Sequence, residues 1–323
     1  MLSSFQKNWF LPCLALAVVL GGCFWTNIVL VADWRPFRNT IVAAVLFVMA
    51  LPLEFRAVAL AIRRPIPVLL AVGITFGLLP LFCWALSQTL TAEFAVGLMV
   101  AAATPCSLAS AAVWTRRAGG NDAVAILVTI VTNLTCFVVS PIWLLVTTGQ
   151  TVTMGKAGDM IVKLGLLVVI PLIVAQLLRL YSPFATWATG RKTMLSVLAQ
   201  LGVLTMVILG SAKAGREISA LQEFSLLDFL PMILAVALTH SLMLWVGHQL
   251  GRLAGLPRGD RIAVGFAGSQ KTLVVGLHLA VTYFGGLAIL PMVTYHVFQL
   301  LFDTVVADKL RASSARSPVP EQR

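Results

Sequence analysis

Ten apolar runs, each close to the length of one membrane crossing, dominate this 323-residue chain and restrict it to helical membrane folds. Hydrophobic residues make up 59% of the sequence and charged residues only 11%. A soluble domain carries about 25% charged residues, so the composition predicts an all-α integral membrane protein. Inside lipid a helix satisfies its own backbone hydrogen bonds. The predicted helices cover residues 9–30, 39–60, 65–87, 93–116, 121–147, 159–180, 192–213, 226–251, 259–284 and 287–309.

Lysine and arginine residues set the predicted orientation of these spans. If both termini and the loops after even-numbered spans share one side, that side carries sixteen of the 23 basic residues and the other side six. The side richer in Lys and Arg is the cytoplasmic one, so both termini are predicted to be cytoplasmic, in a cell inner or plasma membrane. The basic residues stand one to three at a time at span ends. This spacing argues against nucleic-acid binding despite the net charge of +11.

Two of the ten runs are interrupted, and they are the candidate functional segments. The fourth breaks at Thr104–Pro105, where proline removes a backbone N–H, and the ninth contains the polar residues Ser269–Thr272. Paired breaks in corresponding spans point to the binding site of a secondary transporter. Because five spans per half is an odd number, the halves are predicted to be inverted repeats. They cover residues 1–150 and 151–311, followed by a disordered cytoplasmic tail at 312–323.

Polar side chains in and near the breaks are the candidate solute or ion ligands. A lysine in mid-membrane costs about 3 kcal/mol on insertion scales, so Lys271 is predicted to have a partner or a wet cavity. The alternative is a structural cation satisfied by carbonyls of the broken helices. Thr104, Ser107 and Ser110 are three residues apart and are expected on one helix face; close helix packing by small residues is their alternative role. The full candidate set is Thr104, Ser107, Ser110, Thr129, Thr132, Asn133, Ser269, Gln270, Lys271 and Thr272.

Other polar residues within the spans receive lesser roles. Asp303 is a secondary candidate that pairs with Lys309 or with another helix, and the four histidines are interpreted as neutral, packed side chains. The sequence contains no zinc-protease motif, nucleophile elbow or nucleotide-binding loop. We therefore do not expect an enzyme.

The stretches Leu79–Leu134 and Gly265–Gly276 resemble the bile acid:sodium symporter superfamily, and within it the branch called sodium/bile acid symporter-like (SBF-like). The likeness is carried by the proline-started run of small residues, the Gly120–Asn121 turn, the Thr-rich helix and the glutamine of the ninth span. The resemblance implies ten helices in two inverted five-helix repeats, with broken, crossing helices 4 and 9. It also implies a four-helix panel moving against a six-helix core, and uptake of an organic anion coupled to sodium.

Some sodium-site positions of this superfamily are matched and others are not. The resemblance implies sodium binding at three positions, Ser110, Thr129 and Gln270. Three others depart, because the expected Asn, Ser and Glu are replaced by Ala111, Ala125 and Phe266. The loss of a carboxylate, an amide and a hydroxyl beside the added Lys271 weakens a cation site. One physical account is that the lysine ammonium occupies the charge niche of a sodium ion.

The sequence as a whole therefore predicts a secondary active transporter of a small anionic organic solute. Its pocket is expected at the crossing of helices 4 and 9, with Lys271 contacting the anion or switching charge. The expected partners are the solute and the lipid bilayer, and no cofactor is expected apart from sodium as a coupling ion. The alternative function is a non-transporting membrane sensor or regulator that retains the transporter fold.

Overall fold

The computed structural model describes residues 9–53, 65–108, 110–148, 153–220 and 226–315. Within these ranges the protein is helical and contains no β-strand, as predicted. The first seven helices are α1 Phe10–Cys23, α2 Trp25–Asp33, α3 Arg35–Ala50, α4 Pro65–Ser87, α5 Ala92–Ala103, α6 Ser110–Arg117 and α7 Asp122–Thr147. The next seven are α8 Met154–Arg179, α9 Ser182–Gly190, α10 Lys192–Ser219, α11 Leu230–Leu253, α12 Arg258–Ser269, α13 Leu273–Leu279 and α14 Ile289–Ala315.

Seven of the described helical segments are long and apolar enough to cross a membrane, and an eighth crossing results if α1 and α2 form one bent span. The interrupted α12–α13 segment is among the seven, and its most apolar window is completely buried inside the protein. Each of the ten predicted segments contains helix. The ten-span count and the inverted repeat remain predictions, because α3 and α5 are each shorter than a full crossing, and residues 54–60 of the second predicted span lie outside the described ranges.

Several helix boundaries follow from local sequence signals. Pro36, Pro183 and Pro231 stand in the first turn of α3, α9 and α11, where a missing N–H removes no helical hydrogen bond. Asn121 caps α7, since its side chain accepts the backbone N–H of Ala123. Proline starts and polar caps therefore account for where these helices begin.

Three features differ from the sequence-based boundaries. The first span bends by 96° between α1 and α2, next to Gly21 and Gly22, which have low helix propensity. The short helix α9, with Pro in its first turn, follows α8 and was not predicted. The last helix continues to Ala315, four residues into the predicted tail, and residues 316–323 lie outside the described ranges.

Polar contacts join elements at the two ends of the bundle. At one end Arg117 of α6 makes two 2.7 Å hydrogen bonds to Asp308 of α14. At the other end the Glu217 carboxylate accepts the backbone N–H groups of Gly286 and Leu287, at 2.5 and 2.8 Å, just before α14. The broken segments α5–α6 and α12–α13 run between these ends and meet in the buried centre.

Candidate functional site

The two predicted breaks lie in direct contact. Helix α5 ends at Ala103 and α6 begins at Ser110, while α12 ends at Ser269 and α13 begins at Leu273. Between them, the backbone N–H of Thr272 donates to the carbonyl of Pro105 at 3.0 Å. The two broken helices therefore meet at their breaks, and this place of contact is called the crossing below.

The first break is not helical, which corrects the expected stacking of its hydroxyl groups. Thr104 has an extended backbone, the described residues 105–108 are not helical, and the next helix begins at Ser110. Thr104, Ser107 and Ser110 therefore do not share a helix face. The physical reason is Pro105, which lacks the N–H that would bond the carbonyl of Ala101 in a continued helix. The Thr104 hydroxyl donates to that carbonyl instead, at 2.8 Å.

Side chains of α7 satisfy the backbone of the first break. The Asn133 amide nitrogen donates to the carbonyl of Cys106 at 2.9 Å, and the Cys106 N–H donates to the Thr132 hydroxyl at 3.2 Å. The Thr129 hydroxyl donates to the carbonyl of Ser107 at 3.3 Å. An open backbone at bilayer depth needs such partners, so these three predicted residues hold the break open.

Lys271 is the cation of the crossing, and its side chain is completely buried. Its ammonium donates to the carbonyls of Thr75, Ala102 and Thr104 at 2.8, 2.7 and 2.9 Å. The nitrogen also lies 5.9 Å from the centroid of the Phe76 ring. Lysine has three N–H donors, and all three are used. This is the arrangement of the structural alternative, and it leaves no N–H for an anion in this conformation.

The Thr75 carbonyl is available because α4 contains a π turn at Ile74–Leu78. The N–H of Leu79 bonds the carbonyl of Ile74, five residues earlier. The next residue, Pro80, has no N–H to offer the Thr75 carbonyl. A local helix irregularity therefore supplies one of the three ligands of Lys271.

The second break is held by the last helix. Gln299 accepts the backbone N–H of Lys271 at 2.9 Å and donates to its carbonyl at 3.0 Å. The Tyr295 hydroxyl donates to the carbonyl of Ser269 at 2.8 Å, and Nδ1 of His240 lies 3.3 Å from the same oxygen. Gln299, Tyr295 and His240 thus replace hydrogen bonds that a continuous helix would make.

A buried chain of polar side chains links α6 with α14 and α11. Oγ of Ser110 lies 2.7 Å from Oε1 of Gln270, and the Gln270 amide nitrogen donates to Asp303 at 2.5 Å. The other Asp303 oxygen lies 2.8 Å from Nε2 of His240. Gln270, Asp303 and His240 are all completely buried. Asp303 therefore pairs with another helix, one of its two predicted alternatives, and not with Lys309.

The structure brings the predicted set to one place. Every candidate hydroxyl, amide and ammonium group on the two breaks and on α7 lies at or beside the crossing. Sequence reasoning missed the contributions of Thr75, His240, Tyr295 and Gln299. Gln299 and Asp303 are polar residues four positions apart inside an apolar run. This helical spacing is the sequence signal that could have placed them on the same face of α14.

A second feature is a cavity of about 1050 Å³, and none of its lining residues belongs to the two breaks. Ile130 and Leu134 of α7, the end of α3, and helices α8 and α9 line it. Most of the lining is apolar. The Arg179 guanidinium, the cationic group of the lining, donates to the carbonyl of Leu51 at 2.5 Å and to the Thr189 hydroxyl at 3.5 Å. Oε1 of Gln176 is buried there without a partner among the described residues. The cavity thus combines an apolar lining with one cationic group.

Comparison with known proteins adds a family match and several relatives. The profile of the SBF-like CPA transporter family matches residues 8–312. An uncharacterized protein of Pseudomonas aeruginosa is 28% identical over 250 residues, which are 75% of this chain and 74% of that protein. The sodium/bile acid cotransporter 7 of Rattus norvegicus is 27% identical over 241 residues, 72% of this chain and 69% of the relative. The probable chloroplastic sodium/metabolite cotransporter BASS4 of Arabidopsis thaliana is 27% identical over 327 residues, 95% and 73% of the two chains.

Proposed function

The chain belongs to the SBF-like CPA transporter family, and on that premise we propose that it is a secondary active transporter of a small anionic organic solute. The observation that carries the proposal is the contact between the two broken helices, the N–H of Thr272 to the carbonyl of Pro105. Paired broken helices that meet in the bundle centre are typical of secondary transporters.

We propose ten spans, arranged as two inverted repeats over residues 1–150 and 151–311, with both termini cytoplasmic. The breaks, α5–α6 and α12–α13, fall in the fourth and ninth of the ten predicted spans, which are equivalent positions in the proposed five-span halves. Alternating access then moves helices α1–α3, α8 and α10 against the group that contains the crossing.

We propose that the solute enters the cavity beside α7. Its volume, about 1050 Å³, is at the upper end of the range of small-molecule sites. The apolar lining suits a hydrophobic body, while Arg179 supplies positive charge for an anionic group. The relatives from rat and Arabidopsis are named for transport of bile acid or a metabolite with sodium. A carboxylate solute agrees with those names and with the cavity.

Uptake by purified protein in proteoliposomes tests this function. The probes are radiolabelled cholate and a panel of smaller carboxylates, with protein-free vesicles as the blank. We expect at least one carboxylate to accumulate above the blank, and Arg179→Gln to weaken its apparent affinity. Arg191→Gln is the matched control, because that guanidinium stacks on Trp187 outside the cavity. If no probe exceeds the blank across a broad anion panel, the non-transporting sensor or regulator becomes the better function.

A further inference from the structure

We infer that the ammonium group of Lys271 is a built-in replacement for a co-transported sodium ion, so that the crossing is complete without sodium. The inference deepens the proposed function and rests on it, since sodium is the co-transported ion that the family resemblance implies. It is carried by the ligands of Lys271, by the position of Asp303 and by the surroundings of Phe266.

The surroundings of the ammonium are those of a bound cation. Its three ligands are backbone carbonyls from α4, from the end of α5 and from the first break, at 2.7–2.9 Å. Rings of backbone carbonyls replace the hydration shell of a metal cation in ion-selective filters. Ala102 and Thr104 also stand at the C-terminal end of α5, where the helix dipole favours positive charge. The Lys271 ammonium thus occupies a position that would suit a free metal cation.

The residues expected to ligate sodium contact one another or the backbone of the first break. Ser110 Oγ is within 2.7 Å of both Ser107 Oγ and Gln270 Oε1, and the Thr129 hydroxyl faces the carbonyl of Ser107. Phe266, which replaces the expected Glu, is packed in an apolar cluster with Ala118, Ile262 and Ala307. A carboxylate at position 266 would therefore enter an apolar contact, and the sodium site of the superfamily does not fit these residues.

The buried carboxyl group of the crossing comes from a different helix. Asp303 of α14 is completely buried and accepts a 2.5 Å hydrogen bond from the side-chain amide of Gln270. Gln270 is the residue that precedes Lys271 in the sequence. A buried charge is costly unless another charge or several hydrogen bonds compensate it. The crossing thus contains a buried carboxyl group of its own, which contacts Gln270 and His240 and which stands on a different helix from the expected Glu.

Sodium binding by the purified wild-type protein tests the inference. We will compare the unfolding temperature in about 150 mM sodium chloride with that in choline chloride of equal concentration. A scintillation-proximity assay with radioactive sodium measures binding directly. The expected result is the same unfolding temperature in both salts and no saturable sodium signal. A saturable, stoichiometric signal would overturn the inference. Such an ion would find a free ligand in Oδ1 of Asn133, a buried acceptor that has no donor among the described residues.

The variant Lys271→Ala is expected to gain the stabilisation by sodium that the wild type lacks. Without the ammonium the three carbonyls face an empty space, and we expect the unfolding temperature to become higher in sodium than in choline by several degrees. Lys213→Ala is the matched control, because Lys213 pairs with the Asp33 carboxylate at 2.8 Å and has no carbonyl cage described around it. If Lys271→Ala does not fold, the wild-type binding assay decides alone. The sodium-binding results do not depend on the uptake screen. The proposed transport function and the proposed replacement of sodium by Lys271 can therefore be refuted independently.

Discussion

The side-chain amide of Gln299 makes a two-point hydrogen bond with the backbone of Lys271, at 2.9 Å to its N–H and 3.0 Å from its carbonyl. In a continuous helix the N–H of Lys271 would bond the carbonyl of Ala267, which here accepts the Thr75 hydroxyl at 3.2 Å. A single glutamine therefore replaces two helical hydrogen bonds. It also fixes the extended segment between α12 and α13, from which the Lys271 side chain reaches the first break.

Replacing this amide tests its structural role. Gln299→Leu leaves a buried N–H and a buried carbonyl of Lys271 unpaired, and we expect a loss of about 2–4 kcal/mol in the free energy of unfolding. Thermal unfolding in detergent measures the change. Gln88→Leu is the control, because Gln88 is exposed and bonds only at the end of α4. Similar unfolding temperatures for the two variants would mean that other groups hold the break.

Two aspartates on α14, one buried at the crossing and one exposed at the surface, give a matched pair of variants. Asp303→Asn removes the carboxyl group that contacts Gln270 and His240. We expect the rate of solute uptake to fall at least tenfold, which corresponds to about 1.4 kcal/mol of activation free energy. Asp308→Asn removes an exposed partner of Arg117 five residues later and should leave uptake close to wild type. Initial uptake rates normalised to reconstituted protein give the comparison. Equal rates would assign Asp303 a purely structural role.

The contact of α11 with α12 depends on a glycine. A Cβ atom at Gly247 would lie 2.9 Å from both the Cα of Gly265 and the carbonyl oxygen of Val264. Gly247→Ala must therefore separate the two helices beside the crossing, at an expected cost of about 1–3 kcal/mol. Gly158→Ala is the control, since nothing lies within 4 Å of its added methyl group. The unfolding temperature should fall for the first variant and stay level or rise for the second.

The orientation of the bundle is tested by cysteine labelling. In a background with Cys13 and Cys23 replaced by alanine, Arg35→Cys should react from outside intact cells with a membrane-impermeant maleimide. Arg116→Cys should react only after permeabilisation, because its loop belongs to the side richer in Lys and Arg. Both arginine positions are exposed. The reverse pattern would remove the basis for cytoplasmic termini and for the inverted repeat.

Local sequence determined the class of fold and the place of the breaks. Apolar runs of about 20 residues must be helical in lipid, and Pro105 and the polar run Ser269–Thr272 interrupt their segments by local chemistry. Both breaks were found where they were predicted. The same reasoning failed for the hydroxyl groups of the first break, because helical spacing cannot apply after proline has ended the helix.

Tertiary structure alone decided which groups meet at the crossing. Lys271 bonds the carbonyls of Thr75 and Ala102, which are 196 and 169 residues away in sequence. His240 and Asp303 are 63 residues apart. Periodicity states which residues of one helix share a face, but not which helix packs against that face. Sequence therefore predicted that a mid-membrane lysine needs a partner, and the packing of α4 and α5 around the second break decided that the partner is three backbone carbonyls.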